Sequence, residues 1–173
     1  MAQATRAPSA YNFQNWRFIA VRSPDAKERL KAVAYGQQKV QDASVVFVIC
    51  GTLAAHEQLA RMLKPSVDAG IIEPHMADVW VKQAAGAHAN NPGLQRDEAI
   101  RSASLAAMTL MLAAEGMGLA SAPMIGFDMA GLARELNLSA GEVPAIVVTV
   151  GYPLAGNWPQ KPRRPVSEVL TII

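Results

Sequence analysis

APSAYNFQNWRF, residues Ala7 to Phe18, is the most informative stretch of this chain because it joins a turn, two side-chain amides and the start of a strand. The Pro-Ser pair predicts the turn. Asn12 and Gln14 alternate, so an extended backbone would place both amides on one side. An amide offers donors and an acceptor, which suits a flat heterocycle with mixed carbonyl and N–H edges. From these residues alone, the alternative is an ordinary polar loop entering a strand at Trp16–Arg22.

Two buried strands and several helices are predicted further along the chain. Ala43–Gly51 is a continuous apolar run with β-branched residues, typical of a buried central strand, and Ala145–Val150 predicts a second. Ser23-Pro24-Asp25 has the cap, the proline and the acidic residue that begin a helix. Further helices are predicted at Thr52–Leu63, Pro74–Ala87, Leu94–Met117 and Met129–Asn137, the last capped by Asp128.

Two apolar segments predict a homodimer. The helix over Leu94–Met117 is apolar around most of its circumference. Such a helix must be buried on nearly all sides, which is hard to achieve in 173 residues without a second subunit. The tail Val166–Ile173 ends in Val-Leu-Thr-Ile-Ile, a β-type segment that favours aggregation unless it pairs.

The composition favours one domain, residues 1–173, with a sizeable core: 51% of the residues are hydrophobic and 17% are charged. A net charge of +2 is too small to argue for a nucleic-acid partner. The longest charge-free apolar stretch, Ser102–Ala114, is too short to span a bilayer. No signal-peptide pattern opens the chain. We therefore expect neither nucleic acid nor a membrane as a partner.

Cys50, the one cysteine, lies in the apolar run of the first buried strand. It cannot form an intrachain disulfide, which fits a reducing compartment, and we expect a cytoplasmic protein. We predict that Cys50 is buried packing, with a reactive thiol as the alternative.

Three stretches, in order, resemble segments of the nitroreductase family, the FMN-dependent oxidoreductases. The first is the Pro-Ser-x-x-Asn-x-Gln-x-Trp-Arg-Phe order of Ala7–Phe18. The second, Gly116–Asp128 (GMGLASAPMIGFD), is similar to the family's Gly-Leu-x-Ser-x-Pro-x-x-Gly-Phe segment. The third, Val148–Pro165, carries a Gly-Tyr-Pro turn and then a basic Lys-Pro-Arg-Arg-Pro run. Each stretch is weak alone, but three in register over nearly the whole chain make a strong signal.

The resemblance implies an α+β fold, with a central, mainly antiparallel sheet surrounded by helices, in an intertwined homodimer with FMN at the interface. In the family, the C-terminal tail adds to the partner's sheet. The backbone near Ile125 or Gly126 would meet the flavin N5, where a donor stabilises charge as hydride arrives or leaves. The FMN-binding residues that the resemblance implies are Ser9, Asn12, Gln14, Pro123, Met124, Ile125, Gly126, Lys161 and Arg163.

Lys161 and Arg163 are the predicted phosphate ligands. They lie on either side of Pro162, and an extended backbone would project both to the same side. Two such cations can clamp one phosphate, while Arg164 would point away. From the residues alone, a solvated basic turn is equally consistent, and the resemblance favours phosphate binding.

The N-terminus departs from the family, which usually opens with a helix whose Arg-x-Ser motif grips the FMN phosphate and ribityl chain. Here only MAQATR precedes Ala7. A misplaced gene start, a truncated chain and a shortened subgroup all stay open. We expect weak FMN retention, with the fold unaffected.

The implied activity is two-electron, ping-pong reduction of nitroaromatics, quinones or related acceptors by NAD(P)H, with the flavin carrying the hydride. The alternatives are a non-catalytic flavin-binding or sequestering protein, which the N-terminal departure favours, and an oxygen-using flavin enzyme of the same superfamily. No nucleophile–base pair or paired carboxylates stand out. Trp80 with Met76 is expected either to line a substrate pocket or to pack in the core. His56, His75 and His88 lack metal-ligand spacing and are predicted to be surface or lid residues.

Overall fold

The computed structural model describes residues 1–173 and contains a four-stranded sheet in which every pairing is antiparallel. The strand order is β1-β2-β4-β3, so β1 and β3 form the two edges. This confirms the predicted central, mainly antiparallel sheet. The strands are β1 (Trp16–Val21), β2 (Val45–Thr52), β3 (Ala120–Met124) and β4 (Glu142–Gly151).

Six α-helices surround the sheet, and the predicted cap residues begin two of them. Ser23 Oγ accepts from Ala26 N at 3.3 Å, and Asp128 Oδ1 accepts from Ala130 N at 3.1 Å. Each cap satisfies a backbone N–H that has no partner inside its own helix. The helices are α1 (Pro24–Val33), α2 (Gln38–Asp42), α3 (Leu59–Asp68), α4 (Pro74–His88), α5 (Pro92–Gly116) and α6 (Met129–Glu135).

The sheet separates two apolar layers because successive side chains of a strand point to opposite faces. On one face, Val46 and Val48 of β2 belong to a buried cluster with Leu30 of α1 and Leu132 of α6. On the other face, β2 and β4 pack against α5, where small residues allow close contact. The buried members of this second cluster include Ile49, Val148, Val150, Ala103, Ala107 and Leu110.

Gly51 sets the distance between β2 and α5. A Cβ built on Gly51 would lie 2.3 Å from the carbonyl oxygen of Ala99 and 2.7 Å from the Ala99 Cβ. Real Cβ atoms do not approach other atoms this closely, so only glycine permits the observed packing.

The outer side of α5 is exposed in the single chain. Leu105, Met108 and Leu112 are 41%, 49% and 55% exposed, respectively. Their spacing of three and four places them in one stripe along the helix. Burial of α5 on nearly all sides is therefore not achieved by one chain.

The segments that sequence reasoning missed are short or depend on distant partners. β3 reads Ala-Ser-Ala-Pro-Met, has no β-branched residue and becomes a strand by pairing with β4. The five-residue helix α2 was also not predicted. The helix predicted over Thr52–Leu63 begins only at Leu59, after a 3-10 turn, because Ala54 adopts a left-handed backbone conformation with φ +53°.

The tail forms no strand within its own chain, contrary to the β-type pattern of its last residues. Val166–Glu168 is a 3-10 turn, and Leu170 and Ile172 are exposed. A strand needs a partner to satisfy its backbone groups, and neither edge strand of this chain pairs with the tail. Separately, none of the helices combines the length and the apolar character that a membrane span requires.

Candidate functional site

The turn before β1 is left-handed, so the predicted extended backbone at Asn12 and Gln14 is wrong. Tyr11, Asn12 and Gln14 have φ values of 51°, 60° and 48°. The hydroxyl of Ser9 causes this closure, because its Oγ accepts from Gln14 N at 2.9 Å. Three left-handed residues other than glycine so close together store strain of a kind that clusters at functional sites.

The side-chain amides of Asn12 and Gln14 form no hydrogen bond within the chain, although the backbone N–H of Gln14 does. Asn12 is exposed and Gln14 is half-buried. Each amide keeps two donors and an acceptor for another molecule. The turn therefore offers both kinds of hydrogen-bonding group in neutral side chains.

Phe13 anchors this turn to the protein. It is 3% exposed and packs with Leu59 and Leu63 of α3. Its ring meets the imidazole of His88 edge-on, with the ring centroids 5.3 Å apart. The anchor fixes the strained turn to a packed helical layer rather than to a mobile loop.

The prediction that His56 and His88 are surface or lid residues is wrong. Both are buried and stack with their centroids 6.0 Å apart. His88 Nδ1 lies 3.0 Å from the carbonyl oxygen of Ala84, one turn earlier in α4. The burial of His88 could have been predicted from the apolar periodicity of α4, which places His88 on the same face as the buried Ala77 and Ala84.

Trp80 is half-buried and packs against the core, and its ring also reaches the turn. It joins the cluster of Phe13, Leu59 and Leu63, and its ring meets Tyr11 at a centroid distance of 6.3 Å. Met76 is 44% exposed. Trp80 therefore packs against the core and also forms, with Tyr11, an aromatic surface beside the turn, so its role in lining a substrate pocket stays a prediction.

A second segment presents free backbone groups. Ile125 is 77% exposed and, with Gly126, forms a loop between β3 and the buried Phe127. The N–H of Gly126 has no acceptor in the chain, whereas its carbonyl accepts from Gln37 Nε2 at 2.7 Å. Nothing in the sequence around Gly126 pointed to Gln37, because the two residues meet only through the tertiary fold.

Pro123 and Met124 were expected in that loop, but they belong to β3. Pro123 lacks an N–H and is tolerated because β3 is an edge strand with one unpaired side. The exposed loop is therefore shorter than predicted and consists of Ile125 and Gly126.

Lys161 and Arg163 lie in the exposed C-terminal segment. Arg163 Nη1 donates to the carbonyl oxygen of Lys161 at 2.9 Å. Lys161 Nζ lies 5.2 Å from the ring centroid of Trp158. Trp158 in turn lines a groove of about 720 Å³ beside Ala120–Ala122 of β3. The two cations are accessible to an anion.

One chain does not bring these three segments together. The turn enters β1 and the glycine loop follows β3, and these edge strands are separated by three strand spacings, about 14 Å. Trp16 pairs with Gly51 at one end of the sheet, whereas Gly151, where the C-terminal segment departs, pairs with Ala120 at the other end.

Three titratable groups near the sheet have shifted pKa values, and the hydrogen bond to Glu142, together with the charge of that carboxylate, raises the pKa of Arg17. Burial acts to raise the pKa of Glu142, but hydrogen bonds from Arg17, at 2.6 Å, and from Ser139 N outweigh it and lower that pKa. Burial, helped by the charge of Glu142, raises the pKa of Cys50 to about 11. The prediction of Cys50 as buried packing is confirmed, since its side chain is inaccessible.

Comparison with known proteins agrees with the fold. The model of the Nitroreductase family matches residues 1–152. The chain belongs to the nitroreductase family, and its fold is nitroreductase-like.

Individual relatives extend this similarity over nearly the full chain. The chain is 36% identical over 164 residues to "Putative NAD(P)H nitroreductase MhqN" of Bacillus subtilis, covering 94% of this chain and 80% of that protein. The crystal structure of the "putative nitroreductase ydfN" of Bacillus subtilis superimposes with a TM-score of 0.92 at 34% identity, covering 99% of this chain and 84% of the other. A "putative nitroreductase" of Exiguobacterium sibiricum, solved in complex with FMN, gives a TM-score of 0.89 at 26% identity, and the superposition covers 99% of this chain and 82% of the other.

Proposed function

We propose that this chain is a single FMN-binding domain, residues 1–173, which acts as an NAD(P)H-dependent oxidoreductase on nitroaromatics, quinones or related acceptors. The observation that carries the proposal is the strained turn at Ser9–Gln14, with its unpartnered Asn12 and Gln14 amides. Two similar proteins support the proposal: one is named a putative NAD(P)H nitroreductase, and the other has a similar fold and was solved in complex with FMN.

The residues present fit FMN in chemical type. A flavin ring edge alternates carbonyl and N–H groups, and the amides of Asn12 and Gln14 match both kinds. The free N–H of Gly126 is a donor for the ring nitrogen N5, and Lys161 and Arg163 suit the phosphate. Bound FMN supplies the hydride-transferring centre, while the protein holds and orients it.

A homodimer completes the site in this proposal. The turn, the glycine loop and the basic segment are held apart in one chain by the sheet topology. The exposed stripe of Leu105, Met108 and Leu112 on α5 provides an apolar surface for a second copy. Association through α5 would bury this stripe and let two chains contribute different segments to one FMN.

Steady-state turnover with NADH and NADPH tests the activity, with FMN added so that weak retention does not mimic inactivity. A single open face of the flavin would force nicotinamide to leave before the acceptor enters, so double-reciprocal plots at several acceptor concentrations should be parallel. Intersecting lines would show a ternary complex and contradict the ping-pong order.

The same experiment separates the rival functions. If neither NADH nor NADPH at millimolar concentration reduces the FMN-loaded protein, the chain is a flavin-binding or sequestering protein and not an NAD(P)H-dependent enzyme. Consumption of oxygen with incorporation into a product would instead indicate an oxygen-using flavin enzyme.

A further inference from the structure

Gln37 ties the exposed Ile125–Gly126 loop to the body of the protein. Its Nε2 donates to the carbonyl oxygen of Gly126 at 2.7 Å and to that of Ala34 at 3.1 Å. Ala34 is fully buried just after α1. The carboxamide of Gln37 therefore connects the loop directly to a residue that cannot move without disturbing the core.

The segment that carries Gln37 is itself strained. Tyr35 and Gly36 follow α1 with φ values of 54° and 72°. A bulky aromatic residue rarely adopts this left-handed conformation, and such strain persists only where the surroundings enforce it. The resulting reversal brings both neighbours of Gly36 to the loop, since a Cβ built on Gly126 would lie 3.4 Å from Gln37 Nε2 and 4.0 Å from Tyr35 Cδ2.

The other anchors of this loop leave the carbonyl oxygen of Gly126 to Gln37, although Phe127 N, in the same peptide group, donates to the carbonyl oxygen of Ile125 at 3.1 Å. Phe127 is buried in the core, and Asp128 N donates to the carbonyl oxygen of Val33 at 2.8 Å. No backbone N–H in the chain donates to the Gly126 carbonyl, and the Gly126 N–H has no acceptor. One side chain thus holds the carbonyl of a residue whose N–H is free.

We infer that Gln37 is a positioning residue for the flavin reaction: by holding the Gly126 carbonyl, it orients the loop so that the free Gly126 N–H points at the flavin N5. This inference rests on the proposed function. A preorganised donor stabilises developing charge without having to reorder during the reaction. A loop released from Gln37 has to become ordered in each catalytic cycle.

Gln38 provides a matched control, because it neighbours Gln37 but donates only to Asp42 Oδ1 at the surface, at 2.7 Å. The two test variants are Gln37→Ala and Gln37→Glu. The second keeps the size of the side chain and removes its donor, so it covers the case in which the alanine variant packs poorly. Gln38→Ala should behave as wild type throughout.

The first measurement uses the protein without flavin. Backbone ¹⁵N relaxation should show lower order parameters at Ile125 and Gly126 in both Gln37 variants, with Phe127 and the strand β3 (Ala120–Met124) unchanged. Unchanged order parameters at Gly126 would show that Gln37 does not hold the loop and would overturn the inference.

The second measurement is the midpoint reduction potential of bound FMN, determined by spectroelectrochemistry. It should shift to a more negative value in both Gln37 variants, because a mobile N–H dipole no longer stabilises the charge that the flavin gains. The maximal rate at saturating NAD(P)H should fall about tenfold with KM little changed, less than the roughly 10²–10³-fold cost of deleting such a donor outright.

The outcomes separate this inference from the function on which it rests. Wild-type protein that binds no FMN overturns the proposed function, and the inference falls with it. If the wild-type protein binds FMN but the reduction potential of bound FMN is unshifted in both Gln37 variants, only the inference about Gln37 is overturned. A loosened loop together with the negative shift, both absent from Gln38→Ala, supports it.

Discussion

Replacing Gly51 with alanine should be among the most damaging single methyl additions in this protein. The new Cβ would lie 2.3 Å from the Ala99 carbonyl oxygen and 2.5 Å from its carbonyl carbon. Relief requires α5 and β2 to separate by about 1 Å, since unstrained carbon contacts begin near 3.5 Å. Overpacking typically costs about 1–3 kcal/mol. Because both partners at Gly51 are backbone, we expect about 3 kcal/mol, a decrease in Tm of about 6–12 °C.

The assay is urea or thermal unfolding at one protein concentration, since a dimer makes Tm depend on concentration. Gly86→Ala is the matched control, because a Cβ there meets no atom within 4 Å. Alanine in the last turn of α4 should stabilise the protein by about 0.5 kcal/mol. An ordinary surface substitution changes the free energy of unfolding by about 0.5 kcal/mol or less. If Gly51→Ala changed it by no more than that, α5 would not lie as close to β2 as described.

Three further predictions concern the core thiol, the ion pair and the dimer surface. With a pKa of about 11, Cys50 should be about 0.1% thiolate at pH 8, so iodoacetamide should modify it only in denaturant; rapid labelling of native protein would contradict its burial. Glu142→Gln should cost about 1 kcal/mol at pH 7, a modest value because the Arg17 side chain is 48% exposed. The folded pKa of Glu142 is lowered, so its stabilisation is present above the unfolded value of about 4.3 and is lost as the pH falls through the folded value; a cost that persists in acid would exclude the ion pair as its cause. Met108→Glu should convert the proposed homodimer to a monomer near 18.4 kDa in sedimentation, whereas Gln83→Glu at an exposed position of α4 should not; a dimer that survives Met108→Glu would place the interface elsewhere.

Local signals predicted the elements that depend on local chemistry. Ser23 and Asp128 cap the helices that were predicted to begin after them. The β-branched runs around Val46 and Val148 form the central strands. β3 was missed because its stability comes from pairing with β4 and not from its own residues.

The residues of the proposed FMN site could be named from the sequence, but the geometry of the turn that carries two of them could not be predicted. Asn12 and Gln14 stand out as amides, but their left-handed conformation depends on the hydrogen bond between Ser9 Oγ and Gln14 N, which alternation cannot reveal. Gln37 was missed because its contact with Gly126 spans 89 residues of sequence. Contacts of this kind have no periodicity for sequence reasoning to detect.

Titration of the apo-protein with FMN, followed by flavin fluorescence, tests the central claim most directly. Saturable binding at micromolar protein is predicted, with FAD binding more weakly. Asn12→Ala and Gln14→Ala should each weaken FMN binding by about threefold to tenfold, the scale of one lost hydrogen bond, and Gln38→Ala should not change it. Arg163→Ala should weaken binding by about 1–3 kcal/mol, and Arg164→Ala by much less. The absence of saturable binding in wild type, or binding indifferent to Asn12, Gln14 and Arg163 alike, would contradict the claim that these segments form an FMN site.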